Sequence, residues 1–440
     1  MRWDGQGVSV DDGALPGLQR IGLVRSVSTP AFEGITFHEV LCKSALNKIP
    51  AASMLPFRYT VNGYRGCSHA CRYCFARPTH EYLEFDCGRD FDTQVVVKTN
   101  VADVLRRELR RPSWTRETVA LGTNTDPYQR AEGRYALMPG IIGALTDSGT
   151  GFSILTKGTL LRRDLPLLVE AAHRVDVSVA VSLAVGDPDL HSQVEPGTPT
   201  PQARLGLISA IRDAGLGCHV MVAPVLPGLT DSEEHLDDLL SRIAAAGATS
   251  VTVFGLHLRG STRGWFMDWL AQTHPALVGE YRRLYRRGAY LPADYRAMLQ
   301  RRVAPLVARY RLAPDRRGPA HAFLKAVLEA QVAAATLNAW SVLAARYSGR
   351  GAAARNGAHR RFSTELKTKK MLERGNGVML DADPCIMFES NHRAVPAGPV
   401  TCSIPCRLAA VVNVLRSGTP ISCLTSDASW WFCGVAPTHG

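Results

Sequence analysis

Three cysteines within eight residues constrain what the rest of this chain can fold around. Cys67, Cys71 and Cys74 follow a C-x3-C-x2-C pattern in the segment YRGCSHACRYCF, residues 64–75. Thiolates this close in sequence can converge on one soft metal centre. A [4Fe–4S] cubane needs four ligands, so three cysteines leave one iron open to a ligand that is not protein. A zinc ion with His69 as its fourth ligand is the alternative.

The pattern, with the aromatic Tyr73 just before its third cysteine, resembles the signature of the radical S-adenosylmethionine (SAM) superfamily. In that superfamily the open iron is chelated by the amino and carboxylate groups of SAM. The resemblance implies that SAM is cleaved to a 5′-deoxyadenosyl radical, which abstracts hydrogen from a substrate. The longer string GYRGC…YCFARPTHEY, residues 63–82, is similar to the branch that contains spore photoproduct lyase and DNA-repair photolyase-like proteins.

Short runs of branched residues alternate with helical segments through the middle of the chain. Six such runs, each expected to be a strand followed by a helix, lie at residues 57–61, 118–121, 152–155, 177–183, 219–223 and 251–255. This alternation predicts an α/β fold with parallel strands and right-handed crossovers. A complete barrel would need eight units. A partial (βα)6 barrel is also the fold that the resemblance implies.

The sequence predicts four regions. Residues 1–55 form an irregular N-terminal lead-in with short strands near 21–25 and 36–40, and residues 56–262 form the barrel. Residues 263–313 form a C-terminal helical segment. Residues 314–440 are predicted to be a largely disordered tail, because the stretch 348–362 is rich in Gly, Ala and Arg and the cysteines beyond it match no metal pattern.

Polar residues follow the predicted strands, where α/β barrels carry their chemistry. The resemblance implies that Thr123, Thr125 and Asp126 accept hydrogen bonds from the SAM ammonium, although Asp126-Pro127 can also be a plain turn. The resemblance also implies that Lys157 binds the SAM carboxylate. Two further SAM-binding candidates lie later in the chain: Ser182, for the ribose, and Arg204, for the carboxylate unless it forms an ion pair on a helix surface.

One position departs from the family. Spore photoproduct lyase has a hydrogen-donating cysteine after the second strand, in a Cys-Thr-Ser-Asp string, and the matching residue here is Thr123. A hydroxyl O–H bond is too strong for Thr123 to donate a hydrogen atom in place of that cysteine, which puts the same lyase reaction in doubt. Cys87 is the substitute candidate, because it lies near the cluster loop. Cys42 lies too far upstream to place, and Cys218 starts its strand and is expected in the core.

The chain has a formal net charge of +12 at pH 7 and a pI near 9.3. This charge favours nucleic acid as a partner, with solvated basic faces as the alternative. The resemblance to the photolyase-like branch, together with this charge, makes a DNA lesion the expected substrate, and radical modification of RNA or protein is the second candidate. A non-catalytic iron–sulfur or zinc regulator is the third. An electron-donor protein is implied, and the cysteine usage with no signal peptide or membrane span predicts a cytoplasmic location.

Overall fold

The computed structural model of the protein describes residues 7–9, 16–49 and 57–313. The strands among them are β1 Gly7–Ser9, β2 Leu23–Ser28, β3 Thr36–Val40, β4 Leu46–Lys48, β5 Tyr59–Val61, β6 Tyr64–Arg65, β7 Gln94–Lys98, β8 Val119–Leu121, β9 Phe152–Thr156, β10 Val177–Ser182, β11 Cys218–Val225 and β12 Ser250–Gly255.

The α-helices of the same residues are α1 Pro16–Arg20, α2 Arg89–Thr93, α3 Val101–Leu109, α4 Glu132–Tyr135, α5 Leu137–Asp147, α6 Leu165–Ala172, α7 Pro188–Val194, α8 Pro201–Asp213, α9 Glu233–Ala245, α10 Thr262–Thr273, α11 Val278–Leu284 and α12 Ala293–Arg309. Short 3-10 helices cover Pro30–Phe32, Arg77–Leu83, Thr159–Asp164 and Pro275–Leu277.

The larger sheet is the partial (βα)6 barrel that the sequence predicts. Its order is β12-β11-β10-β9-β8-β5-β4, and every neighbouring pair from β5 to β12 is parallel. The antiparallel strand β4 closes the β5 edge. Helices α3, α5, α6, α8, α9 and α12 follow the six parallel strands in turn. Parallel strands have their carboxyl ends at one edge, so all six loops open on the same side.

Buried apolar residues join this sheet to its helices. Val119 and Val181 are buried on the strands, and Ile142 and Leu240 are buried on α5 and α9. The local sequence starts these helices where they are needed. On α9, for example, the Ser232 side chain accepts a hydrogen bond from the backbone N–H of His235, which satisfies one free donor of the first turn.

The N-terminal region is more regular than the sequence predicts. Strands β2 and β3 appear at the two places expected, and they belong to a second sheet of order β1-β2-β3-β7-β6. In that sheet β3 is parallel to β7, and Phe37 and Val95 are both buried. The pairing partner of β3 comes from beyond the cysteine loop, which local sequence reasoning had no means to identify. The division of the chain into four regions stays a prediction.

The helical segment after β12 contains α10, α11 and α12, as expected. In the part of the chain that the structure describes, no helix combines the length and apolar character needed to cross a bilayer. The predicted tail, residues 314–440, lies outside the described residues.

Candidate functional site

A cavity of about 490 Å³ opens at the carboxyl ends of the parallel strands. Its size falls in the range of roughly 300–1,000 Å³ that is usual for small-molecule sites. Most of the predicted site residues line it, namely Cys67, Cys71, Tyr73, Cys74, Thr123, Thr125, Asp126, Lys157 and Ser182. Residues from separate loops along the chain therefore meet in one place, as a barrel of parallel strands requires.

The cysteine loop is held by its backbone. Gly66 has φ +85°, and a Cβ atom there would lie 2.9 Å from both the Gln94 carbonyl oxygen and the His80 ring. Only glycine fits that conformation and that close approach. The buried guanidinium of Arg77 donates to the Cys71 carbonyl from Nε at 3.0 Å and from Nη2 at 2.9 Å. The loop geometry is thus fixed by residues on both sides of the cysteines.

The three thiols fit a cubane cluster. Cys67, Cys71 and Cys74 are free, and each contributes to the cavity wall. Among the described residues no three His, Cys, Asp or Glu side chains are grouped to hold a single metal ion. A cubane takes one thiolate on each of three irons, so its ligands stand farther apart than those around one zinc.

Burial controls the protonation of these thiols. It raises the pKa of Cys71 well above the ordinary thiol value and the pKa of Cys74 to about 11. Both groups are therefore neutral near pH 7 until a metal binds. Because a thiolate is the form that binds iron, loading the site must release protons.

The His69 side chain pairs with the Asp126 carboxylate, which gives it a role other than that of a fourth metal ligand. The His69 Nδ1 atom lies 3.3 Å from Asp126 Oδ2, and the His69 side chain is 3% exposed. Burial lowers the pKa of His69, but the charges of Cys67 and Asp126 and hydrogen bonds to both outweigh it and raise the value to about 10. The imidazole is therefore a cation between the loop and the end of β8.

Asp126 organises its surroundings as well as lining the cavity. Its Oδ1 accepts from the Tyr128 backbone N–H at 2.9 Å and from the Thr156 hydroxyl at 2.5 Å, and its Oδ2 accepts from the Lys157 backbone N–H at 2.6 Å. The turn that the sequence offered as an alternative is present. Burial raises the pKa of Asp126, and His69 with these hydrogen bonds brings it below its usual value. Direct contact with the SAM ammonium stays a prediction.

The two threonines of this loop make different contacts. Thr123 shares a hydrogen bond with the Asn62 side chain at 3.2 Å. The buried Thr125 hydroxyl donates to the Gly66 carbonyl at 2.7 Å and accepts from Gln129 at 2.9 Å. Thr125 therefore ties the β8 loop to the cysteine loop. Thr123 keeps its place on the cavity wall.

Lys157 is placed at the wall by a buried acid. Its Nζ donates to the Ser182 hydroxyl at 2.6 Å and lies 3.9 Å from Glu195 Oε1. The Tyr73 hydroxyl also donates to Glu195, and the Tyr73 ring faces Lys157 Nζ at 5.7 Å from its centroid. The structure thus joins the cysteine loop, β9 and β10 through one fully buried carboxylate.

Arg204 completes this network from behind. Its Nη2 lies 2.5 Å from Glu195 Oε2, and its Nη1 donates to the Ser182 carbonyl at 2.9 Å. Both side chains of the pair are 0% exposed, so the ion pair that the sequence offered as an alternative is present, but it is buried and does not lie on the helix surface. Arg204 is not among the residues that line the cavity. The structure gives it the role of holding Glu195, and its contact with the SAM carboxylate stays a prediction.

The charges of this network add up to a net positive charge. Burial raises the pKa of Glu195, but Arg204, Lys157 and the Tyr73 hydrogen bond reduce it to about 2, so the carboxylate is ionised. Two cations therefore share one anion, and only Lys157 reaches the cavity. The remaining positive charge faces the space beside the cysteines. A ligand carboxylate placed there would meet it.

The cysteines considered as substitutes for Thr123 lie elsewhere. Cys42 packs against the core beside α3, and its backbone is bound to the Asn100 side chain. Cys87 is half-buried, and Cys218 is fully buried at the start of β11, as expected. None of these thiols lines the cavity.

Two groups of residues at the site were not predicted from the sequence. The first is the pair of clamps on the cysteine loop, Arg77 and Gln129, whose Nε2 donates to the Gly66 carbonyl at 3.0 Å. Arg77 stands in the quoted string after the third cysteine, which is the available signal. The second is a cluster beyond β12 that contains His257, Arg259 and Tyr290. No local pattern in the sequence marks it.

Comparison with known proteins gives one family and several relatives. Residues 61–240 match the model of the radical SAM superfamily. An uncharacterized protein of Mycobacterium tuberculosis is 80% identical over 322 residues, which cover 72% of this chain and 95% of the relative. A second, from Methanocaldococcus jannaschii, is 26% identical over 197 residues, which cover 44% of this chain and 70% of the relative.

Solved structures of spore photoproduct lyase also align. One mutant is 15% identical, with a TM-score of 0.48, over 62% of this chain and 79% of the lyase. The matched residues 61–240 contain the cysteine loop, Asp126, Lys157 and the Glu195–Arg204 pair, at the strand ends of a partial barrel. Residues 61–240 of the chain form a domain of the radical SAM superfamily.

Proposed function

We propose that this protein is a radical SAM enzyme that binds a [4Fe–4S] cluster through Cys67, Cys71 and Cys74. The family implies both the cluster and SAM. Together they supply the electron and the 5′-deoxyadenosyl radical that abstracts hydrogen from a substrate. The observation that carries the proposal is the single cavity that receives the three thiols and the surplus positive charge of Lys157.

The chain's own residues bind and orient SAM. Lys157 donates to the SAM carboxylate, and Glu195 with Ser182 holds the Lys157 ammonium in position. Asp126 is ionised at neutral pH, and its carboxylate attracts the SAM ammonium at the end of the neighbouring strand. Apolar side chains that line the cavity, among them Leu155, Met221 and Leu256, exclude water from the reacting atoms.

We further propose damaged DNA as the substrate class. The net charge of +12 and the similarity of residues 63–82 to the photolyase-like branch support it. Thr123 stands where spore photoproduct lyase has a cysteine, so the hydrogen that ends the reaction must come from another group. Radical modification of RNA or protein is the second enzymatic candidate. A salt-dependent mobility shift with oligonucleotides would support a nucleic-acid partner.

SAM cleavage is the direct test. The protein is reconstituted anaerobically with iron and sulfide, reduced with dithionite and mixed with SAM. We expect 5′-deoxyadenosine to accumulate in proportion to bound iron. A non-catalytic regulator would bind iron but form no 5′-deoxyadenosine, and that result would overturn the proposal.

A further inference from the structure

The cavity has a second wall at the end of the last barrel strand, on the far side of the sheet from the cysteine loop. It consists of Phe254, His257, Arg259 and Tyr290, and we call it the β12 wall. β12 and β5 are separated by four other strands in the sheet, and the cysteine loop follows β5. A ligand against the β12 wall would therefore share the cavity with SAM and approach it from another side.

The β12 wall is built from stacked rings. His257 stacks on Phe254 with centroids 5.5 Å apart and an interplanar angle of 24°. The Tyr290 ring meets His257 edge-on at 4.7 Å. Rings in this arrangement present flat apolar surface, which suits a planar ligand.

The guanidinium of Arg259 lies over the Tyr290 ring, 4.9 Å from its centroid, and donates to the Tyr290 hydroxyl. Among the described residues Arg259 has no carboxylate within ion-pair distance, whereas Arg77 and Arg204 are each paired with one. The ring contact fixes the direction of the guanidinium without neutralising it. Its charge remains for a ligand.

No acid on the cavity wall competes for Arg259. Asp126 is the one carboxylate among the described residues that line the cavity, and it is occupied by His69, Thr156 and the backbone of Lys157. Among the described residues the cavity therefore presents two cations to a ligand: Lys157, which shares the single carboxylate of Glu195 with Arg204, and Arg259. The SAM carboxylate accounts for one of them.

We propose that the β12 wall binds the substrate, and that this substrate is a planar ring that carries an anionic group, either phosphate or carboxylate. Arg259 holds the anionic group, and Tyr290 with His257 packs against the ring. The inference rests on the proposed function, because it takes Lys157 as occupied by SAM. It extends that function by defining the chemistry of the second ligand.

The test uses the reconstituted full-length protein and pairs of probes that differ in charge. Uridine 5′-monophosphate is compared with uridine, and 4-hydroxybenzoate with 4-hydroxybenzamide, by calorimetric titration in the presence of SAM. At least one anionic probe should bind about tenfold more tightly than its neutral partner, as expected for one charge-assisted contact. The preferred pair tells phosphate from carboxylate.

Variants assign that preference to a residue. Arg259→Gln should remove the tenfold preference and leave the neutral probes unchanged, and Arg259→Lys should retain part of it. Arg110→Gln, which makes the same charge change at an exposed site on the end of α3, should keep it fully. Equal binding of charged and neutral probes by the wild-type protein, or a preference that survives Arg259→Gln, would overturn the inference. SAM cleavage by the wild-type protein, measured on the same preparation, tests the proposed function separately.

Discussion

Two walls of one cavity handle charge in different ways. The cluster-side wall is formed by the cysteine loop, Asp126 and Lys157 and is backed by the buried Glu195–Arg204 pair, and each of these charged side chains has a partner of opposite charge. On the β12 wall, Arg259 rests on an aromatic ring and has no carboxylate partner among the described residues. Paired, buried charges cannot rearrange cheaply, so the first wall is preorganised for one binding geometry. On the second wall the charge of Arg259 is directed by a ring contact and is not neutralised by it.

The largest effect should follow from removing a cluster ligand. Cys71→Ala leaves two thiolates for the cluster, so we expect iron content to fall sharply and SAM cleavage to fall by more than about 100-fold. Iron analysis and 5′-deoxyadenosine formation measure this. Cys87→Ala, a cysteine outside the cavity, is the matched control and should behave as wild type. Retention of a stable cluster by Cys71→Ala would show that the loop does not hold it.

Breaking the buried ion pair should cost stability. Glu195→Gln leaves the Arg204 guanidinium buried and uncompensated, which typically lowers the free energy of unfolding by about 3–5 kcal/mol. Urea denaturation of the unloaded protein measures the change. The exposed Glu117→Gln should shift it by less than about 0.5 kcal/mol. A change below about 1 kcal/mol for Glu195→Gln would mean that the network does not hold the cluster-side wall together.

The cation that the cluster-side wall presents to the cavity can be removed by Lys157→Ala. The variant loses one charge-assisted hydrogen bond to the SAM carboxylate, so we expect SAM to bind about 10–100-fold more weakly. Equilibrium dialysis with labelled SAM measures this. Lys48→Ala, at an exposed position of β4, is the control. Unchanged SAM affinity would show that the SAM carboxylate does not bind at Lys157.

The smallest effect concerns the β12 wall and pH. Burial first, then Arg259 and Arg296, lowers the pKa of His257 to about 4, below the value of 6.5 expected for the unfolded chain. The unfolded state thus binds more protons between these values, and stability falls as pH decreases from about 6.5 towards 4. We expect His257 to contribute about 1 kcal/mol of that loss per pH unit. Urea denaturation at pH 6 and pH 5 should show a shallower loss for His257→Asn. Parallel losses in the two proteins would contradict the assignment.

The strands and the cysteine loop could be predicted because their signals are local. Alternating and branched runs marked β5, β8 and β9 within a few residues, and the spacing of Cys67, Cys71 and Cys74 needed no long-range information. The partners of Arg204 could not be assigned in this way. Helical periodicity says which face is buried but not what lies against it, and so a surface pair was the alternative.

By itself the sequence determined that three thiolates stand together at the end of the first barrel strand and that six strands alternate with helices. Only the tertiary structure decided that Tyr73, Glu195 and Arg204 meet behind Lys157, and that Arg259 faces the same cavity without an acid. These contacts join residues from different strand ends. Their distances depend on how the sheet curves and how its helices pack, which no short stretch of chain encodes.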